Sequence, residues 1–131
     1  MKMITLGKKD IAIHQLNKAI EHFFEKDYIS SITLSGASEE ILGDYCKKEN
    51  KENVLNSILK IAVSNGYDQD KSKKDVFNAF NFPRNSLKHA DDGIDIVVLE
   101  NIDPQLMILR AIKNYETLDL KPTEQIKKFK E

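Results

Sequence analysis

Residues 28–48 read YISSITLSGASEEILGDYCKK, and this stretch decides the fold. Plotted at about 100° per residue, its apolar side chains cover most of a helix circumference and leave one narrow polar face. Those apolar positions are Tyr28, Ile32, Leu34, Ala37, Ile41, Leu42, Tyr45 and Cys46. A helix that is apolar on so many sides is predicted to be central to a helical bundle. Asp27 is its predicted N-cap, and the small residues between positions 30 and 38 let neighbouring helices approach closely.

Helices are predicted on both sides of this stretch. Apolar residues recur at helical spacing from Lys9 to Lys26, which is typical of an amphipathic helix. A third helix follows from Val54 to Val63 and ends near the Asn65-Gly66 pair. A late helix begins at Asp103-Pro104 and runs to about Leu118; its predicted core stripe is Met107, Ile108, Ala111, Ile112 and Tyr115.

The region between the third and the late helix is harder to assign. Residues 67–74 are predicted to form a charged loop, and a fourth helix is expected from Val76 to about Ala90, which Pro83 either kinks or restarts. Its predicted core side holds Val76, Ala79, Phe80, Pro83, Leu87 and Ala90. Residues 94–100 are expected to be an extended linker or a minor strand. The tail, residues 121–131, is expected to form a short helix that frays.

The length and composition predict one domain over residues 1–131, and the helical patterns predict an all-α bundle of four to five helices with a short extended segment near 94–100. With 20 basic and 21 acidic residues, the net charge of -1 gives no global attraction to nucleic acid or to an anionic membrane. The single cysteine, Cys46, is expected to be a small buried side chain in a reducing compartment. That compartment indicates the cytoplasm. Because the chain has no long apolar run, we expect a soluble protein without a membrane partner.

Common catalytic and metal-binding signatures are missing from the sequence. It contains no glycine-rich phosphate loop, no G-x-S-x-G elbow, no paired-histidine metal helix and no cysteine cluster. We therefore expect no metal and no cofactor. His14 and His22 are predicted to be ordinary surface histidines, because nothing near them in sequence would orient an imidazole.

The chemically unusual stretch is RNSLKH, residues 84–89. If the fourth helix continues through it, Arg84 and His89 are about 140° apart on one polar face. That face holds asparagines and basic residues without a carboxylate: Asn78, Asn81, Arg84, Asn85, Lys88 and His89. Such a face is suited to binding a phosphate. The alternative is that a short helix carries exposed basic residues for solubility alone.

Glu39 is the other residue that the pattern singles out. On the second helix it points between Ile32, Leu42 and Cys46, and an ionised carboxylate on an apolar side needs a partner. One alternative is that this partner is a basic residue of the late helix that carries the RNSLKH stretch, such as Arg84. The other is that this face lies near solvent or at a dimer contact.

Residues 84–89 resemble the R-x(4 to 6)-H signature of the HEPN superfamily. Residues 37–43 (ASEEILG) and 84–91 (RNSLKHAD) resemble stretches of uncharacterised bacterial proteins of this type. The resemblance implies a small all-α domain, an antiparallel bundle of four to five helices, that pairs as a homodimer through the face bearing Arg84 and His89. Many such domains are metal-independent endoribonucleases. Carried to this sequence, His89 would be the general acid or base and Arg84 would hold the scissile phosphate; Asn85, Lys88 and Asn81 would support substrate binding, with Glu39 as a supporting residue.

Two other functions fit the same resemblance. One is a non-catalytic dimerisation module, or one that binds RNA or another ligand. The other is a toxin or defence component that an antitoxin of the nucleotidyltransferase type neutralises. The balanced charge and the lack of an evident aromatic platform for stacking bases weigh against RNA binding.

Overall fold

A computed structural model of the chain describes residues 2–66, 68–90, 93 and 95–131, and for residues 69–72 and 76 it describes the backbone alone. The described residues form six helices: α1 (Lys8–Phe24), α2 (Tyr28–Lys48), α3 (Val54–Ser64), α4 (Gln69–Ser86), α5 (Ile102–Thr117) and α6 (Glu124–Phe129). The predicted all-α class is confirmed, with more helices than the four to five expected. Residues 95–100 form neither helix nor strand, whereas Ile94 lies outside the described residues.

The second helix is the centre of the bundle, as its sequence predicts. It packs against α1 on one side and α5 on another. Its small residues Ser31, Ser35, Gly36 and Ser38 are all buried, and the Ser38 hydroxyl donates to the carbonyl of Ala12 at 2.7 Å. Asp27 caps the helix by accepting from the Ser30 amide at 3.1 Å. Small side chains therefore bring the backbones of α1 and α2 close together.

The hydrophobic core lies between α1, α2 and α5, with α6 closing one end. The predicted stripe of α5 is confirmed, since all five of its side chains are buried. Cys46 is fully buried as expected. Thr123 caps α6, Ile126 is buried, and the Tyr115 hydroxyl donates to the carbonyl of Lys121.

None of the helices in the described part of the chain is long and apolar enough to cross a membrane.

The prediction for the fourth helix is wrong in its bounds and in its orientation. α4 begins at Gln69, inside the predicted charged loop, passes through Pro83 and ends at Ser86, before Ala90. The supposed core residues Ala79 and Phe80 are exposed, and Arg84 is buried. The polar side of α4 faces the bundle because α2 and α5 present charged partners at that point.

Candidate functional site

A buried carboxylate lies at the junction of α2, α4 and α5. Glu39 of α2 has only 3% of its surface exposed. Its Oε1 atom accepts a hydrogen bond from Nη2 of Arg110 at 3.2 Å, and its Oε2 atom is 3.5 Å from Nη1 of Arg84. Two guanidinium groups on two different helices therefore share one carboxylate. Of the two alternatives for Glu39, the structure has the pairing with Arg84.

Arg110 also fixes the backbone of α4. Its Nη1 atom donates to the carbonyl of Phe80 at 2.5 Å, and its Nη2 atom donates to the side-chain oxygen of Asn81 at 2.8 Å. Pro83, three residues later, has no backbone N–H group to donate. The backbone hydrogen bonding of α4 is therefore weakened near the Phe80 carbonyl. Asn81, a predicted substrate-binding residue, is half-buried and holds Arg110 instead of facing open solvent.

The stem of Arg84 lies directly over the backbone of α2 at Gly36. A Cβ atom built on Gly36 would lie 2.4 Å from Cδ and 2.7 Å from Cγ of Arg84. No real Cβ atom approaches another carbon so closely, so only glycine leaves room for this stem. The glycine in the small-residue stretch is thus the reason that Arg84 reaches Glu39.

Replacing Gly36 with alanine should therefore displace Arg84 and break its ion pair. We expect a loss of about 1–3 kcal/mol from overpacking, reduced by up to about 1 kcal/mol because alanine favours a helix over glycine. The measurement is urea unfolding at fixed protein concentration, with Thr33→Ala on the exposed side of α2 as the control.

The matched double variant Gly36→Ala/Arg84→Ala isolates the cause. Without the Arg84 stem beyond Cβ, the added methyl group meets the Cβ atom of residue 84 at 3.5 Å, an ordinary van der Waals contact. The alanine at position 36 should therefore be neutral or stabilising relative to Arg84→Ala alone. An equal loss in both backgrounds would show that the contact between Gly36 and Arg84 does not limit the site.

Burial makes the three charged groups depend on one another. It raises the pKa of the Glu39 carboxyl above its ordinary value, an effect that Arg110 and Arg84 oppose. It lowers the pKa of Arg110, which the charge of Glu39 opposes. Among the described residues, the Nε atoms of both arginines are buried without a hydrogen-bond partner. A cluster of this kind holds its geometry only while all of its members are present.

The other residues of the RNSLKH stretch lie at and beyond the end of α4. Asn85 is half-buried in the last turn, whereas Lys88 and His89 are exposed and follow the helix. The amide of Lys88 donates to the carbonyl of Asn85 at 3.0 Å, which closes a turn. His89 is therefore not a helical residue, and the predicted angle of 140° from Arg84 does not apply. The stretch combines a buried anchor, Arg84, with an exposed Lys-His pair.

Two polar residues of this junction were missed in the sequence. Arg110 and Asn114 lie one turn apart on the buried side of α5. The Asn114 amide donates to the carbonyl of Glu39 at 3.0 Å, and its oxygen accepts from the amide of Val54 at 2.8 Å. Their spacing from Met107 and Ala111 is the signal that was available, because it places both of them in the core stripe.

The other titratable side chains that the structure describes form no metal-binding group. His14 is exposed as predicted, whereas His22 is half-buried, and its buried Nδ1 atom lies 3.6 Å from carboxylate oxygens of both Glu25 and Asp27. Within residues 2–66, 68–90, 93 and 95–131, no group of three or more His, Cys, Asp or Glu side chains could hold a metal ion. Comparison of the chain with protein-family models, curated proteins and solved structures gave no match.

Proposed function

We propose that this chain is a metal-independent endoribonuclease that resembles HEPN domains and acts at a cleft between two copies, as a toxin or defence component. The observation that carries the proposal is the buried pair of Arg84 and Glu39, 3.5 Å apart. It anchors the start of the RNSLKH stretch to the core, while Lys88 and His89 remain exposed just beyond the anchor. An exposed imidazole beside a fixed cationic segment is suited to proton transfer next to a phosphate.

His89 has the central role in the proposed reaction. Its imidazole takes the proton of a ribose 2′-hydroxyl as the 2′-oxygen forms a bond to phosphorus. The bond from phosphorus to the 5′-oxygen breaks, and that oxygen takes a proton from a protonated His89 of the second copy. The products are a 2′,3′-cyclic phosphate and a 5′-hydroxyl, so that atoms and protons balance without a further reactant.

Arg84 can meet a phosphate without leaving Glu39. Its Nη1 atom is also 3.6 Å from the carboxylate of Glu40, whose side chain is 62% exposed. A phosphate oxygen that replaces Glu40 would be the second anion at this nitrogen, while the buried Glu39 keeps its place. Lys88 would add an exposed positive charge, Asn85 would orient the phosphate, and Asn81 would act indirectly by holding Arg110.

A second function is supported by a different observation. Both arginines of the junction already face the buried Glu39, so their charge is partly neutralised before any ligand arrives. This arrangement favours a non-catalytic module in which the RNSLKH stretch binds RNA or a protein, such as an antitoxin, without cleaving it.

The experiment that tests the proposal uses a mixed-sequence RNA and the same sequence with 2′-O-methyl riboses, each incubated with the full chain in excess chelator. We expect the unmodified RNA to be cut to fragments with 2′,3′-cyclic phosphate ends, and the methylated RNA to stay intact because it has no 2′-hydroxyl proton to remove. Binding of both RNAs without cleavage would identify the module instead. If the chain neither binds nor cleaves either RNA, both proposals for RNA are overturned.

A further inference from the structure

Four aromatic rings meet where the end of α1 lies beside α6. Phe23 packs edge-to-face against Phe24 and Phe129, with ring centroids 5.6 Å and 5.5 Å apart, and it stacks on Tyr28 at 6.1 Å. One of the four is more than 100 positions from the others, so the sequence alone does not show that they are neighbours. We call this group the aromatic cluster.

Phe24 is the one exposed member of the aromatic cluster, with 45% of its surface exposed. Edge contacts with Phe23 and, at 6.5 Å, with Phe129 hold its ring in place. The ammonium group of Lys128 lies over the ring, 4.6 Å from its centroid. One face of the ring is therefore covered by a flexible, charged side chain instead of by the core, and another flat ring can reach it.

The aromatic cluster is one wall of a groove of about 540 Å³, the size of a site for a small molecule. The helix α5 contributes Leu109 and the side-chain amide of Gln105, which can both donate and accept hydrogen bonds. The charged residues of the lining are two cations and one anion: Lys128, Lys130 and Glu131. The groove therefore combines flat rings, an amide and a net positive charge.

This combination of groups matches an unpaired nucleotide. A base stacks on an aromatic ring, and its edge carries donors and acceptors that the Gln105 amide can meet. Among the described residues, Lys128 pairs with no carboxylate, whereas Lys130 is paired with Glu116 at 3.0 Å. Lys128 is thus the cation that a phosphate can recruit. An aliphatic protein side chain would cover the ring but would leave the amide and the ammonium group without partners.

The groove is connected along the surface to the RNSLKH stretch. Leu109 lines it, and Leu106, also exposed and one turn earlier on α5, lines a second groove together with Pro83 of α4. The RNSLKH stretch begins at the residue after Pro83. A strand bound at Phe24 can therefore cross α5 over these two leucines and reach the helix that leads into the stretch.

We propose that the aromatic cluster binds an unpaired nucleotide of single-stranded RNA, with the base stacked on Phe24, its edge at Gln105 and a neighbouring phosphate at Lys128. The site is separate from the RNSLKH stretch and is complete within one copy of the chain. The inference rests on the proposed function, which makes RNA the substrate, and adds that this substrate is unpaired where it meets Phe24. Bases that are stacked within a duplex cannot reach the ring.

The test is the affinity of the full chain for a short, fluorescently labelled RNA with 2′-O-methyl riboses, measured by fluorescence anisotropy as a single strand and after annealing to its complement. The methyl groups prevent cleavage, so binding is measured whether or not the chain is a ribonuclease. We expect the duplex to bind at least about tenfold more weakly than the single strand, because its bases are not free to stack on Phe24.

Substitutions of Phe24 separate stacking from apolar contact. Phe24→Leu keeps an apolar side chain without the ring, so the fold should be retained while the dissociation constant for the single strand rises roughly 5- to 150-fold, the contribution of one stacked base. Phe24→Tyr keeps a flat ring and should bind as the wild type does. The matched control is Tyr45→Leu, since Tyr45 also has lysine ammonium groups over its ring, at 5.0 Å and 4.8 Å, but does not line the groove. It should leave the affinity unchanged.

The salt dependence of binding tests the phosphate contact. In Lys128→Ala, the plot of log affinity against log salt concentration should become less steep by about 0.7, the value for one phosphate contact on a single strand. Phe24→Leu should leave this slope unchanged, because stacking releases no counterions.

Equal affinity of the wild type and Phe24→Leu for the single strand would overturn the proposal and would make a protein the better occupant of the groove. A wild type that binds no single-stranded RNA would also overturn it, even if unmodified RNA is cut and the proposed nuclease stands. Binding that depends on Phe24, in a chain that cuts no RNA, would support this site and count against the nuclease alone.

Discussion

Replacing His89 with alanine should reduce RNA cleavage by roughly 10²- to 10⁴-fold, the usual contribution of one general acid or base. His89 is exposed and lies beyond the end of α4, so the change removes the imidazole without removing buried surface. Circular dichroism and the unfolding midpoint should therefore match those of the wild type. The measurement is the initial rate of cleavage in excess chelator under single-turnover conditions, where product release does not contribute.

His14→Ala is the matched control for this prediction. His14 is also an exposed histidine on a helical bundle surface, but it lies on α1, away from the RNSLKH stretch. Its loss should leave the rate unchanged, and a contaminating nuclease would act equally in all three preparations. Equal cleavage by the wild type and His89→Ala would remove His89 from the reaction and would leave the binding module as the function to test next.

Replacing Arg110 with methionine should destabilise the fold by about 3–5 kcal/mol, the cost of removing one partner from a buried ion pair. Methionine retains most of the packing of the arginine stem, so the loss comes from the polar groups. The change leaves Glu39 with Arg84 alone, and it removes the donors to the Phe80 carbonyl and to Asn81. These contacts join α4 to α5, whereas α4 packs mainly against α3.

The measurement is urea unfolding at one fixed protein concentration, which is needed because association would add to apparent stability. Lys60→Met is the control: Lys60 forms an exposed ion pair with Glu52 at 3.1 Å, and such pairs contribute about 0–1 kcal/mol. A triple change of Glu39, Arg84 and Arg110 to methionine should recover much of the lost stability, because no buried charge then remains. A loss below about 1 kcal/mol in Arg110→Met would contradict a structural role for the cluster.

Local sequence is sufficient to predict the bounds and the buried side of a helix when that side is apolar. The boundaries of α2 and α3, the Asp27 cap and the core stripe of α5 all agree with the structure. In these segments, the periodicity of the hydrophobic residues predicts which side of the helix is buried. The small residues of α2 likewise indicate close packing, because a serine or glycine on an apolar side leaves a space that only another helix can fill.

Only the tertiary structure determines which side of α4 is buried, because that side is polar. The sequence of α4 places Arg84 and Asn81 on a side that hydrophobicity assigns to solvent, but α2 and α5 bring Glu39 and Arg110 to meet them. The free energy of burying a charge depends on the partner opposite, which is distant in sequence and contributes nothing to local periodicity. The sequence by itself determined that this protein is a helical bundle around α2, and it singled out Glu39 and the RNSLKH stretch. Only the packing of three helices decided that Arg84 is a buried anchor, whereas the exposed position of His89 agrees with the polar face that the sequence predicted.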